Sequence, residues 1–231
     1  MSNTSLVITE TQNTALATSE MDPLVAFANE IAPKFIVGKL LKFTKGDYFA
    51  GEENKPIPLG TRFIVGIDYL LNGWVRWQGG RPVEHRMAHV INGDRPQLRS
   101  DLGYQDESKW EVDNSGQLRD PWQITSYVPM VDEESGAVFT FSTASRGGRN
   151  AIADLCREYV KGRHDHPDDF PVVEVQCGSY KHQNSQFGRI KFPAFKLVSW
   201  TAKSSFGSAL GLTENQEDQK AQEVQDEEIP F

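Results

Sequence analysis

Aromatic rings and cations recur at short spacing along this chain, and that pairing suits one kind of chemistry. In Trp74-Val75-Arg76-Trp77 the alternation of an extended segment puts Trp74 and Arg76 on one face and Val75 with Trp77 on the other. One indole is then core and the other exposed, and Trp74 is the expected exposed ring because Arg76 shares its face. Tyr48 and Phe49 stand close after Lys42 and Lys45, with Lys39, Arg62 and Arg86 on neighbouring segments. Ring faces accept unpaired bases, each stacked base being worth roughly 1–3 kcal/mol, while cations follow the phosphates. A third cluster, Ser145-Arg146-Gly147-Gly148-Arg149-Asn150, precedes an apolar helical pattern. Glycines there would let the backbone approach a phosphate, with Arg146 and Arg149 adding charge, and a plain turn is the alternative. The cluster lacks the Lys-Ser/Thr ending of a nucleotide-binding P-loop, so no ATPase is expected.

The last six residues, Asp226-Glu227-Glu228-Ile229-Pro230-Phe231, carry a different chemistry. The Phe231 ring and the terminal carboxylate sit on one residue, which suits a pocket with an apolar floor and a basic rim. Pro230 limits the backbone freedom that binding would cost, and the three acids steer the segment to a basic surface. This hexapeptide resembles the acidic tip of bacterial single-stranded-DNA-binding proteins, which ends in acids followed by Ile-Pro-Phe. The resemblance implies a non-catalytic protein that coats single-stranded DNA in replication, recombination or repair. In that family the tip recruits replication and repair enzymes and competes with DNA for the protein's own groove. The likeness covers six of 231 residues, so no DNA-contact residue of the family is carried over to the body. An N-terminal extension and an insertion depart from the ordinary bacterial pattern and suggest, by analogy alone, a phage or prophage member.

Two rival readings come from the same residues. One is an interaction protein that mimics the tip to capture replication enzymes and binds no DNA. The other is a metal-dependent nuclease built on His164-Asp165-His166-Pro167-Asp168-Asp169, since imidazole and carboxylate suit several divalent ions. That cluster reads as an exposed loop, and Cys156 and Cys177 form no Cys-x-x-Cys zinc pattern. No metal, no cofactor and no catalytic residue are expected.

The net charge of -8 is unevenly spread. Residues 1–33 hold four acids and no Lys or Arg, and residues 214–231 hold seven acids against Lys220 alone. The stretch 34–213 keeps 23 basic and 21 acidic residues and is slightly positive. Acidic ends around a mildly basic body suit a tail that shields a nucleic-acid groove. Two cysteines and the absence of a signal-peptide pattern or a long apolar run point to a soluble protein of a reducing cytoplasm, bacterial or phage-infected, without membrane contact.

Strands must position these groups. Residues 1 to about 20 read as disordered, and 23–32 as a short helix with Leu24, Phe27 and Ile31 on one face. Extended segments are expected at 35–43, after a bend at 45–47, and at 61–71. A hairpin turn is expected at Asn72-Gly73, then strands at 74–78 and from 83 to 91. Residues 92–121 are turn-rich and read as an insertion, its return pinned by Trp110 and Trp122. Strands follow at 123–131 and 137–143. Ile152, Leu155, Cys156, Tyr159 and Val160 mark one buried helix face, with Gly162 as its C-terminal cap. Two more strands, at 172–178 and 187–200, precede a flexible linker from Thr201. The expected fold is mainly β with one helix: an OB-fold-like five-stranded barrel over 34–200, a β-sandwich being the alternative that fits a mid-chain helix less well, with a disordered or short-helical arm at 1–33 and an acidic tail at 201–231.

Overall fold

A computed structural model describes residues 35–113, 116–184, 186 and 188–211. The expected arm at 1–33, its short helix, and the Asp226–Phe231 tip lie outside the described residues.

Alternation sets the first strands. In β1 (Lys39–Thr44) Leu41 is buried while Lys39, Lys42 and Thr44 face water. Lys45 and Gly46, both with positive φ, reverse the chain at the expected bend into β2 (Asp47–Ala50), which buries Tyr48 and Ala50. β3 (Lys55–Ile57) completes this meander. The segment expected as one strand over 61–71 is interrupted: β4 (Arg62–Val65) gives way to a 3-10 turn at Ile67–Tyr69 before β5 (Leu71–Gln78) begins.

Asn72-Gly73 makes no turn. Both residues sit within β5, where Ser126 donates a hydrogen bond to the Asn72 side-chain oxygen. A Cβ on Gly73 would stand 2.2 Å from the Arg86 carbonyl, so close strand approach is what this glycine permits. The hairpin turn falls at Gly79-Gly80, both with positive φ, which suits the twist of a two-residue loop into β6 (Arg81–His89). Within 92–121 lie two short 3-10 turns, a third ending at Asn92, and a small ladder of β7 (Glu111–Val112) with β8 (Leu118–Arg119). β9 (Trp122–Asp132) and β10 (Val138–Thr143) follow, then helix α1 (Arg146–Gly162), the long hairpin β11 (Asp169–Lys181) and β12 (Arg189–Ala202), and helix α2 (Lys203–Ala209).

Ten strands form one sheet in the order β12-β11-β4-β9-β10-β1-β2-β3. β9 pairs through its C-terminal half with β4 and through its N-terminal half with β5, which carries β6. All pairs are antiparallel except β1 with β10. At that junction the buried Thr140 hydroxyl donates to the Val37 carbonyl and accepts from the Val37 amide. The sheet curls into an open half-barrel: the Tyr48 hydroxyl of β2 reaches carbonyls of β11 and β12, strands at the far end of that order. Leu41, Phe63, Met130, Phe141 and Val173 fill the interior.

Among the described residues the fold is therefore mainly β, with two helices where one was expected over that stretch. α1 buries Ile152, Leu155 and Tyr159, and Cys156 packs partly against the core, but Val160 on the flank of that face is exposed. Gly162 is the last helical residue and not the cap, which is Arg163; it faces Trp200 of β12 so closely that a Cβ would lie 2.3 Å from the indole. α2 occupies the start of the expected linker because Phe206 is fully buried, its ring against Gly66. No described helix is long and apolar enough to cross a membrane.

Candidate nucleic-acid interface

The β5–β6 hairpin and the 92–121 insertion build one surface together. Val75 is fully buried, while Trp74 and Arg76 face the other way, as their alternation implies. Register puts Arg86 opposite Trp74 and Glu84 opposite Arg76. One Glu84 oxygen accepts from Arg76 Nε at 3.1 Å and the other from Arg86 Nε at 2.8 Å. The hydrogen bond from Arg86, with that from Arg76, holds the Glu84 carboxyl below the usual carboxylate range against a smaller opposing effect of burial. Arg76 lies 4.5 Å over the Tyr104 ring and 5.9 Å from Trp122, and Arg86 lies 5.7 Å from Trp122.

The insertion is self-bracing. Arg99 grips both oxygens of Asp120 at 2.7 and 2.9 Å, a bidentate pair that ties its two ends together. Trp122 donates to the Gly103 carbonyl and so pins the return, whereas Trp110 bonds to the Tyr104 carbonyl within the insertion itself. Gln97 reaches the hairpin twice, accepting from Trp74 Nε1 at its carbonyl and from Arg86 at its side chain.

A second hollow, about 880 Å³, opens between the β1–β2 turn, the first turn of α1 and the β11–β12 hairpin. Phe43, Lys45, Arg146, Tyr180, Lys191 and Phe192 line it, with Asp154 the one acid. Lys45 and Arg146 were expected to contact a strand; Tyr180, Lys191 and Phe192 were missed. Their signal was legible as rings beside lysines, Tyr180-Lys181 on one strand and Lys191-Phe192 on its partner. Tyr180 is 51% exposed and lies 6.2 Å from the Phe192 ring.

The two surfaces connect. Ser145 lines both the large hollow and a shallower one formed with Ala144, Trp122 and Trp74. The path runs from Tyr104 and Arg76 over Trp74, across Ala144 and Ser145, to Arg146, Lys45 and Tyr180; Trp122, 3% exposed, lies beneath it and supports Arg76 and Arg86 rather than offering a face.

The other expected contacts lie elsewhere. Lys42 and Phe49 are cross-strand neighbours on β1 and β2, Lys39 stands at the exposed start of β1, and Arg62 lies 3.8 Å from Glu133. None of these lines the hollows, nor does Arg149, which is half-buried. Tyr48 is a correction: it is 0% exposed, between Phe43 and Phe141, and burial raises its phenol well above the ordinary range. No base can stack on it. The Gly147-Gly148 pair also serves packing: a Cβ on Gly148 would meet the Thr143 hydroxyl at 2.0 Å, and one on Gly147 would meet Phe192 at 3.0 Å. The Ser145 side chain accepts from the Gly148 amide and caps α1.

His166 of the 164–169 loop is held by Asp169 at 3.0 Å and stacks 4.5 Å over Trp200. Among the described residues no group of three or more His, Cys, Asp or Glu side chains is placed to hold a metal ion. Cys156 and Cys177 are free and half-buried, and burial pushes the Cys156 thiol up, away from nucleophilic use. Comparison of the chain with protein-family models, with curated proteins and with solved structures finds no match in any of the three.

Proposed function

We propose that this chain is a non-catalytic single-stranded-DNA-binding protein, its half-barrel an OB-like body elaborated by the β2–β3 and β5–β6 hairpins. The observation that carries the reading is the set of accessible rings and cations at Tyr104 with Arg76, at Trp74, and at Arg146, Lys45 and Tyr180, the last two groups joined at Ser145. Stacking faces next to cations suit a strand whose bases are unpaired and whose sequence is not read. The helix between β10 and β11, late in a strand-rich order, is compatible with the OB-like reading. The Asp226–Phe231 segment adds a second role by its resemblance: recruitment of replication and repair enzymes, with the acidic tail shielding the groove.

The test is titration of the full chain with oligo-dT while following tryptophan fluorescence at two salt concentrations. Quenching is expected as bases reach Trp74 and Trp110, with affinity falling as salt rises. Absence of binding at low salt, by both the full chain and a variant ending at residue 213, overturns the reading.

A further inference from the structure

We infer that Glu84 stands in for a backbone phosphate, and that Arg76 and Arg86 together form the seat of one phosphodiester of the bound strand. This inference rests on the proposed function and adds to it a specific ligand group. The geometry is that of an anion site already filled. Each Glu84 oxygen takes one guanidinium Nε, at 3.1 Å from Arg76 and 2.8 Å from Arg86. A phosphodiester offers the same two-oxygen fork to the same donors. Two cations meet one carboxylate, so the cluster keeps a net positive charge.

Burial divides the three groups unequally. The Arg76 side chain is 13% exposed and held over Tyr104 and Trp122, so its position does not depend on Glu84 alone. Arg86 is 45% exposed and has a second partner in Gln97. Glu84 is 32% exposed and projects from β6, which among the described residues pairs with β5 alone. The carboxylate can swing out while the guanidinium groups stay. The hollow beside Arg76 also contains Asp106, Glu111 and Lys109, and Arg99 with Asp120 forms a closed pair nearby. These acids disfavour small free anions, so occupancy requires a strand that stacks on the neighbouring rings as well.

The test uses the full chain and Glu84→Gln, which keeps the shape and removes the charge. Oligo-dT affinity is expected to rise about two- to fivefold at moderate salt, the scale of one partly exposed ion pair. The dependence of log K on log salt should steepen, because the arginines then release a solution anion in addition to the cations freed from the strand. A purely structural Glu84 predicts the opposite sign, since its loss would slacken both arginines. Arg86→Gln gives an independent arm: about two- to fivefold weaker binding with a shallower salt slope, and no gain from Glu84→Gln in the double variant. Native-like circular dichroism with unchanged or weaker binding in Glu84→Gln overturns the inference while leaving the proposed function standing. Should Glu84→Gln fail to fold, native-strength binding by Arg86→Gln overturns it instead. No binding by the native chain overturns both.

Discussion

The Tyr48 hydroxyl donates a hydrogen bond to the Gln176 carbonyl at 3.0 Å, joining strands 128 positions apart, with the Ala194 carbonyl 3.3 Å away as a second acceptor. This contact spans the mouth of the half-barrel, and the ring below it packs between Phe43 and Phe141. Tyr48→Phe keeps the ring and removes the bond. Stability to urea should fall by about 0.5–1.5 kcal/mol, the net worth of one buried hydrogen bond. Oligo-dT affinity should not change, because the ring is core; a large loss of affinity in a stable variant would return Tyr48 to the interface.

Alkaline stability should report on Tyr127. Burial pushes its phenol from the ordinary value of about 10 up to about 12. A raised folded value means the contribution is intact below pH 10 and is lost as pH rises through the folded value. Roughly 2–3 kcal/mol should disappear between pH 10 and about 12. Urea midpoints followed over that window should fall less steeply for Tyr127→Phe, and identical slopes would refute the assignment.

Gly73→Ala tests how closely β5 and β6 approach. The added methyl would stand 2.2 Å from the Arg86 carbonyl and 2.6 Å from Met87 Cα, both backbone atoms that can yield only by parting the strands. About 1–3 kcal/mol of stability should be lost. Because Arg86 moves with β6, oligo-dT affinity should fall in the same variant, unlike Tyr48→Phe.

Within the interface, Tyr180→Ala should weaken oligo-dT binding by about 1–3 kcal/mol, the worth of one stacked base. Lys191→Ala should weaken it modestly and reduce the salt slope by about 0.7. Lys42→Ala and Arg62→Ala, which lie off the path, should match the native chain. Equal losses across all four variants would mean that binding follows overall charge rather than this path.

Period-two alternation was readable wherever one face of a strand is buried, as at Trp74 to Trp77, and the i, i+3, i+4 pattern located α1. Its reach ended where a glycine had two meanings. Asn72-Gly73 carries a strong local turn signal, yet tertiary packing uses Gly73 for strand approach and leaves the turn to Gly79-Gly80. Phe206, alone among small and polar residues, gave no periodicity, although its burial against Gly66 fixes α2. Tyr48 could not be told from Phe49 by type, because only the register against β1 decides which ring faces inward. Tyr180 and Phe192 stood at the end of two long strands, where alternation does not disclose that the hairpin faces the β1–β2 turn.

The parallel pairing of β1 with β10 has a consequence for synthesis. β1, β2 and β3 leave the ribosome together, but their attachment to the remaining sheet awaits Val138–Thr143. At roughly 5–20 residues per second the intervening chain takes several seconds to appear. During that interval the edge of β1 that β10 will cover is open to any other strand. Stalled nascent chains ending near residue 120 should be cleaved by protease within 35–60, and those with residue 202 outside the tunnel should resist. The β1–β3 meander therefore waits for β10 with one edge unpaired, which makes crowding on a polysome a hazard for its production.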